Sequence, residues 1–349
     1  MRHTRIGHAC AQAMRILLLL GLAAIVPAQA QAPTQDKTVI LKMSSWVPPA
    51  HPLNPSLIAW AADIEKQTNG TVKATLFPSE QLGKAFDHYD MARDGIADLA
   101  YINPGYQPGR FPIIAAGDLP FLIADAKGGS AALDEWYRKY APQEMQDVHV
   151  CFAFALDPGT FHSRHKIVTP DDIKGDKVRP AGATIGAFIT LLGGTNVQAS
   201  APEAREVLER GVANTITFPW GSIVLFGIDK VVKYHMDVPL YSNAFIWAMN
   251  KAKYESLSPA QKKAIDDHCT PEWAEKVASP WADFEHAGIA RIKGEPGHDV
   301  YTLTPEQVAA WRKAAEPLTA KWAAKVHNAD AVLAELKDAL KRHNALYEP

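Results

Sequence analysis

Residues Val72–Ile102 read VKATLFPSEQLGKAFDHYDMARDGIADLAYI. The stretch opens on β-branched and apolar residues as far as Phe77 and is closed by Pro78. Lys84 to Asp94 then carries a helical pattern with Gly95 at its C-terminal end, and Asp98–Ile102 returns to an apolar strand. Strand, helix and strand within about thirty residues make a βαβ unit, whose strands lie parallel in one sheet. Outward from this unit the alternation continues. Val39–Met43 is a buried first strand, ended by the turn SSWVPPAHP, and Asn54–Gln67 places Leu57, Ile58, Ala61 and Ile64 at helical spacing. Thr68-Asn69-Gly70 stops that helix, because Asn and Gly take the left-handed conformation that ends one. Further along, Val148–Leu156 and Asp176–Arg179 read as strands, Thr184–Leu192 and Ala201–Arg210 as helices, and Tyr241–Met249 as another strand.

From Pro259 the pattern is helical for most of the remaining length. Pro271 and Pro280 are expected to kink or divide the segment Ser258–Lys293. A short strand, Asp299–Leu303, precedes Thr304–Gln307 (TPEQ), a capping box that starts one or two amphipathic helices reaching about His343. The predicted class is α/β, with mixed sheets flanked by helices.

The N-terminus reads differently. Arg2, Arg5 and Arg15 precede the eleven-residue apolar run Ile16–Val26, and Ala28-Gln29-Ala30 supplies a small-x-small cleavage pattern. Residues 1–30 are therefore read as a signal peptide, with the mature chain starting near Gln31 and Cys10 discarded. The run is too short to anchor in a bilayer, and no later stretch approaches about eighteen apolar residues. Loss of three arginines moves the formal charge from −2 to about −5. A mildly acidic chain without basic clusters argues against nucleic acid and against membrane insertion. Cys151 and Cys269 survive maturation; an exported protein permits them to pair, and two free buried thiols remain equally open.

Enzyme signatures are missing: there is no GxSxG elbow, HExxH, CxxC or phosphate-binding glycine loop. His162 and His165 lie near Asp171 and Asp172, but the spacing matches no standard ligand set. The cationic HSRHK stretch (162–166) reads as a solvated loop, so no metal and no cofactor is expected. One short stretch stands out, GDKVRPAG (175–182). Alternation puts Lys177 and Arg179 on one face of the strand, Pro180 ends the ladder, and Ala181-Gly182-Ala183 leave room beside the guanidinium. Arg suits a carboxylate, since its fork matches two oxygens. Taken alone, the residues leave Arg179 evenly between a ligand and a salt bridge to Asp172 or Asp176.

Four pieces then fall in a familiar order: LKMSSWVPPAHPLN (41–54), the long run TNGTVKATLF…NPGYQPGRFP (68–112), IVTPDDIKGDKVRPAG (167–182) and LLGGTNVQASAPEAREVLERGVANTITFPWGSI (191–223). From about Val39 to about Leu340 the chain resembles the solute-binding proteins of tripartite ATP-independent periplasmic (TRAP) transporters, dicarboxylate-binding type. The resemblance implies a two-lobed periplasmic binding protein fold, type II-like, with a long interdomain helix. Lobe I would comprise 36–156 plus about 245–284, and lobe II about 157–244 plus 285–345. It implies a periplasmic monomer that captures a small organic acid and delivers it to TRAP membrane permease subunits. Arg179 occupies the position of the family arginine that grips the ligand carboxylate.

Two departures from the family pattern bear on the ligand. A second arginine common upstream is absent from LDPGTFHSR (156–164), where Arg164 better matches a structural arginine and His162 or Thr160 stands as a substitute. After LERGV the family's polar, ligand-facing residue is replaced by Phe218. Trp46, His51, Tyr101, Tyr106, Asn103, Phe161, Trp220 and Phe245 or Trp247 are expected in cleft loops around it. One arginine among aromatics predicts an aromatic or apolar monocarboxylate; an aliphatic dicarboxylate or sugar acid is the alternative ligand. The alternative activity is a periplasmic enzyme, with Arg179 anchoring an organic acid and His162, His165 or Asp118 as acid or base.

Overall fold

A computed structural model describes residues 36–348; the expected leader, its cleavage point near Gln31 and Cys10 lie outside them. The first part of the chain runs β1 (Val39–Ser44), α1 (Leu53–Gln67), β2 (Val72–Phe77), α2 (His88–Arg93), β3 (Leu99–Ile102), α3 (Ala126–Tyr137), α4 (Ala141–Glu144) and β4 (Val148–Ala155). There follow β5 (Thr160–Ser163), β6 (Lys177–Arg179), α5 (Ala183–Leu191), β7 (Thr195–Asn196), α6 (Ala204–Glu209), β8 (Thr215–Phe218), α7 (Trp220–Leu225) and β9 (Tyr234–Met236). The last part comprises β10 (Ala244–Asn250), α8 (Lys251–Glu255), α9 (Pro259–Asp267), α10 (Pro271–Gly294), β11 (Asp299–Tyr301), α11 (Pro305–Ala323) and α12 (Ala329–Arg342).

These strands form two sheets, one per lobe. The first has the order β2-β1-β3-β10-β4, with β1 parallel to β2 and β3 and with β10 antiparallel to β3 and β4. The second has the order β11-β9-β5-β8-β6-β7. The chain crosses from first to second sheet after β4, returns between β9 and β10, and crosses again after α10. Every residue of β10 is buried, as expected of a central strand covered on both faces.

Local chemistry accounts for the boundaries. In α1 the buried face is Leu53, Leu57, Trp60, Ala61 and Ile64, and the helix ends where Asn69 and Gly70 take positive φ. Thr304 and Gln307 form the expected capping box of α11. Pro271 occupies the first turn of α10, where a missing N–H is harmless. Pro280 sits inside α10 without dividing it, and the helix is held on both sides: α10 packs on α3 in one lobe and α7 in the other. A Cβ on Gly288 would overlap the Gly221 backbone, so α10 and α7 touch main chain to main chain.

Other differences have similar causes. Helix α3, which the sequence reading did not identify, contains Gly128 and Gly129; a Cβ on Gly128 would meet the His343 carbonyl of the C-terminal segment and one on Gly129 the Ile123 side chain. Helix α12 also returns to this side. Trp136 donates to the Val332 carbonyl at 3.0 Å, and Arg342 and His343 pair with Glu135. Helix α12 therefore packs on the side of the first sheet. Cys151 on β4 and Cys269 between α9 and α10 form a disulfide, with Cα atoms 4.5 Å apart. Among the described residues, no helix is long and apolar enough to cross a membrane.

Candidate functional site

Arg179 ends β6, paired with Ile216 of β8, and Pro180 stops the ladder there as expected. Its side chain is only 1% exposed. Nε donates to the Ala199 carbonyl at 2.9 Å and Nη2 to the Tyr106 hydroxyl at 3.1 Å. Neither Asp172 nor Asp176 reaches it. Asp172 caps the turn after Val168, while Asp176 accepts from Asn214 and Thr215 and faces His165. Among the described residues no carboxylate pairs with Arg179. A guanidinium has five N–H donors, so most of this buried cation's capacity is unused.

Around it other donors are idle. Tyr241 Oη and Asn243 Nδ2 are buried without partners, and both line the same cavity as Arg179. Tyr106 comes from the loop after β3, in the first lobe. Its hydroxyl oxygen accepts from Arg179 and from the Ala201 N–H (2.8 Å) of the second, which leaves its own hydrogen free. The rest of the wall is apolar. Trp46 stacks on Tyr101 (4.6 Å), Phe245 stands 6.4 Å from Trp46, and the Arg179 guanidinium lies 5.5 Å from the Phe218 ring.

Of the expected residues, Arg179, Phe218, Trp46, His51, Asn103 and Phe245 line this cavity. Three do not. Tyr101 lies on β3 beneath Trp46 and supports the wall from behind. Phe161 is on β5, not in a cleft loop, and alternation turns it to the opposite face, against Trp311. Trp220 packs edge-on to His162 instead. Sequence reading missed Trp281 of α10 and the Tyr241–Asn243 segment. The former carries only a helix-face pattern, and the latter was merged into the strand that begins at Ala244. The small residues after Arg179 divide their roles: Ala181 lines the cavity, whereas Gly182 meets Gly105 of the opposite lobe.

His162 is not in a solvated loop. It is fully buried on β5, and its Nε2 donates to the Phe218 carbonyl at 3.0 Å. Its Nδ1 must then accept from His235 Nδ1 (2.8 Å), and His235 Nε2 from His298 Nδ1 (2.8 Å), whose Nε2 faces the Lys233 ammonium at 3.2 Å. This file of neutral imidazoles reaches from the surface to the strand behind Phe218. Burial pushes the His162 pKa down to about 3 and that of His235 to about 2. Thr160 donates to the Met236 carbonyl, and Arg164 to the Leu208 carbonyl, so neither supplies a second grip. Asp118, its pKa raised to about 7 by burial, accepts the Ala244 N–H at 2.8 Å. None of His162, His165 and Asp118 lines the cavity.

Glu285 of α10 joins the lobes behind the site. It accepts from Gly221 N (2.5 Å), Ser222 N (2.9 Å), the Ser222 hydroxyl and Trp281 Nε1 (2.5 Å). Burial raises its pKa to about 7, while these four donors favour the anion.

The family model "Bacterial extracellular solute-binding protein, family 7" matches residues 43–325. The chain belongs to that family. Its members are periplasmic, bind small organic acids and work with membrane permease components. A TRAP solute-binding protein from Rhodoferax ferrireducens T118, in complex with copurified benzoate, is 25% identical over 88% of this chain and 99% of its own, with a TM-score of 0.83. A marine metagenome TRAP protein specific for aromatic acid ligands, in complex with metahydroxyphenylacetate, is 30% identical over 88% and 99%, with a TM-score of 0.82. One from Bordetella bronchiseptica, with bound (R)- and (S)-mandelate, is 27% identical over 87% and 99%, with a TM-score of 0.81. In this TRAP solute-binding protein, then, the two-lobed fold and the cavity between sheet ends are those of a carrier's capture subunit.

Proposed function

We propose that the protein captures an aromatic monocarboxylate in the periplasm and hands it to a TRAP permease, as a monomer and without catalysis. The observation that carries this reading is the buried, carboxylate-free Arg179, with Tyr106, Tyr241 and Asn243 offering further donors to the same space. A ligand carboxylate would accept from the guanidinium fork, and its ring would rest among Trp46, Phe218 and Phe245. Arg179 is the only cation of the cavity wall among the described residues, which supports one carboxylate and not two. Benzoate, metahydroxyphenylacetate and mandelate on the three similar proteins point the same way.

Lobe I is then 36–156, about 245–284 and α12, and lobe II the remainder. The ligand bridges them and stabilises the closed state by its differential affinity for it. Calorimetry on protein refolded free of ligand is the test, with benzoate, mandelate, succinate, glucuronate and benzamide. The expected order has the aromatic acids bound and benzamide unbound. Tighter binding of succinate or glucuronate would reject the substrate class.

A further inference from the structure

Away from Arg179, the cavity wall holds a polar side chain whose hydrogen bonding is half used. His51 lies in the turn before α1, 1% exposed, with its ring edge-on to Trp281 at 4.9 Å. Its Nδ1 accepts the Leu53 N–H at 3.2 Å, which satisfies one of the free donors at the start of α1. An accepting Nδ1 bears no hydrogen, so the neutral imidazole carries it on Nε2. Burial holds the ring neutral, with a pKa of about 3. Among the described residues no group receives the Nε2–H, although His51 lines the cavity.

Its position follows from the rings between. Arg179 bonds Tyr106; Tyr106 lies 6.0 Å from Trp46, Trp46 6.4 Å from Phe245, Phe245 5.4 Å from Trp281, and Trp281 4.9 Å from His51. His51 thus belongs to the same aromatic wall as Tyr106, joined to it through the rings of Trp46, Phe245 and Trp281. No cation accompanies it there, and Glu285 stands behind Trp281, so a second carboxylate has nothing to pair with.

We infer that His51 selects, among aromatic acids, those carrying a neutral oxygen acceptor (hydroxyl, carbonyl or ether) on the ring. The inference rests on the aromatic-acid reading above and narrows it. An unsubstituted ring would leave the Nε2–H desolvated and unpaired, whereas an oxygen would accept it.

Calorimetry with 3- and 4-hydroxybenzoate against 3- and 4-methylbenzoate, near-isosteric pairs, tests it. One hydroxy isomer is expected to bind about tenfold more tightly than its methyl partner. In His51→Asn the amide oxygen can still take the Leu53 N–H, but no donor reaches the Nε2 position. The preference should fall to within about twofold. His51→Gln, whose amide nitrogen reaches that position, should restore part of it. Equal binding of the pairs by the unaltered protein overturns the inference without needing a variant, as does a preference that survives His51→Asn. Failure of every aromatic acid to bind overturns the broader reading as well.

Discussion

Replacing Arg179 by methionine should move ligand affinity and ligand-free stability in different directions. Two of the five guanidinium donors are engaged, by Ala199 at 2.9 Å and Tyr106 at 3.1 Å. A bidentate carboxylate would take two of the rest, each charge-assisted bond contributing about 1.5–3 kcal/mol. Loss of both is about 3–6 kcal/mol, or between about 10²- and 10⁴-fold in Kd. Without ligand the balance changes. A buried cation lacking an anionic partner is costly, and its replacement by an apolar side chain of similar volume is commonly neutral or stabilising by about 1–4 kcal/mol. Against this, the Ala199 carbonyl loses its donor, at about 1–3 kcal/mol. Ligand-free stability should therefore stay within about 1–2 kcal/mol of the parent or exceed it. Urea unfolding of stripped protein and calorimetry with benzoate measure the two quantities. A methionine variant that loses more than about 3 kcal/mol of ligand-free stability, or that binds aromatic acids as before, would show that Arg179 is a structural prop.

Cys151→Ser opens a loop spanning a sequence separation of 118, which chain entropy values at about 5 kcal/mol; its urea midpoint should fall well below that of the oxidised parent. An equal midpoint would refute the link's stabilising role. Gly288→Ala forces α10 off α7 and should cost about 1–3 kcal/mol and weaken binding, since Ser222 and Trp281 both line the cavity; an unshifted thermal midpoint would contradict the close contact. His235 has a folded pKa near 2, below its unfolded value, so its stabilising contribution is complete above about pH 6.5 and is lost as pH falls toward 2. The raised carboxyls of Asp118 and Glu285 act in the opposite sense between about pH 4 and 7, so the comparison must be with His235→Gln. That variant's stability should fall less steeply from pH 6 to 4, by up to about 1.4 kcal/mol per pH unit, and an unchanged slope would show that His235 is not held neutral.

The place of Arg179 at the end of a short strand was legible because a β-branched residue precedes it and a proline follows, whereas its facing a ligand came from the family resemblance and not from these neighbours. Val72–Phe77 was legible because period-two patterning and a closing proline agree. Where composition and topology conflict, reading fails. HSRHK is dense in cations, yet only its later residues face water, since β5 buries His162 and Ser163 between β8 and β9. Phe161 was placed in a cleft loop because a four-residue strand within LDPGTFHSR offers no run of alternation to count. Trp281 looks like any apolar residue on a helix stripe, and nothing local says that the stripe borders a cavity. Helix α3 went unread, and the segment that packs against its Gly128 is more than two hundred residues away.

Pro280 has a mechanical meaning. A proline within a helix withholds one main-chain hydrogen bond, here the one owed to the Lys276 carbonyl, and Ser279 next to it bonds back to the Glu275 carbonyl at 2.7 Å. A 24-residue helix is about 36 Å long and would otherwise act as a stiff beam. In α10 the bending compliance is gathered at one joint. That joint adjoins Trp281, which touches the cavity, and lies little more than a turn before Glu285, which anchors the second lobe. The longest helix among the described residues therefore has its main-chain ladder interrupted where it borders the cavity.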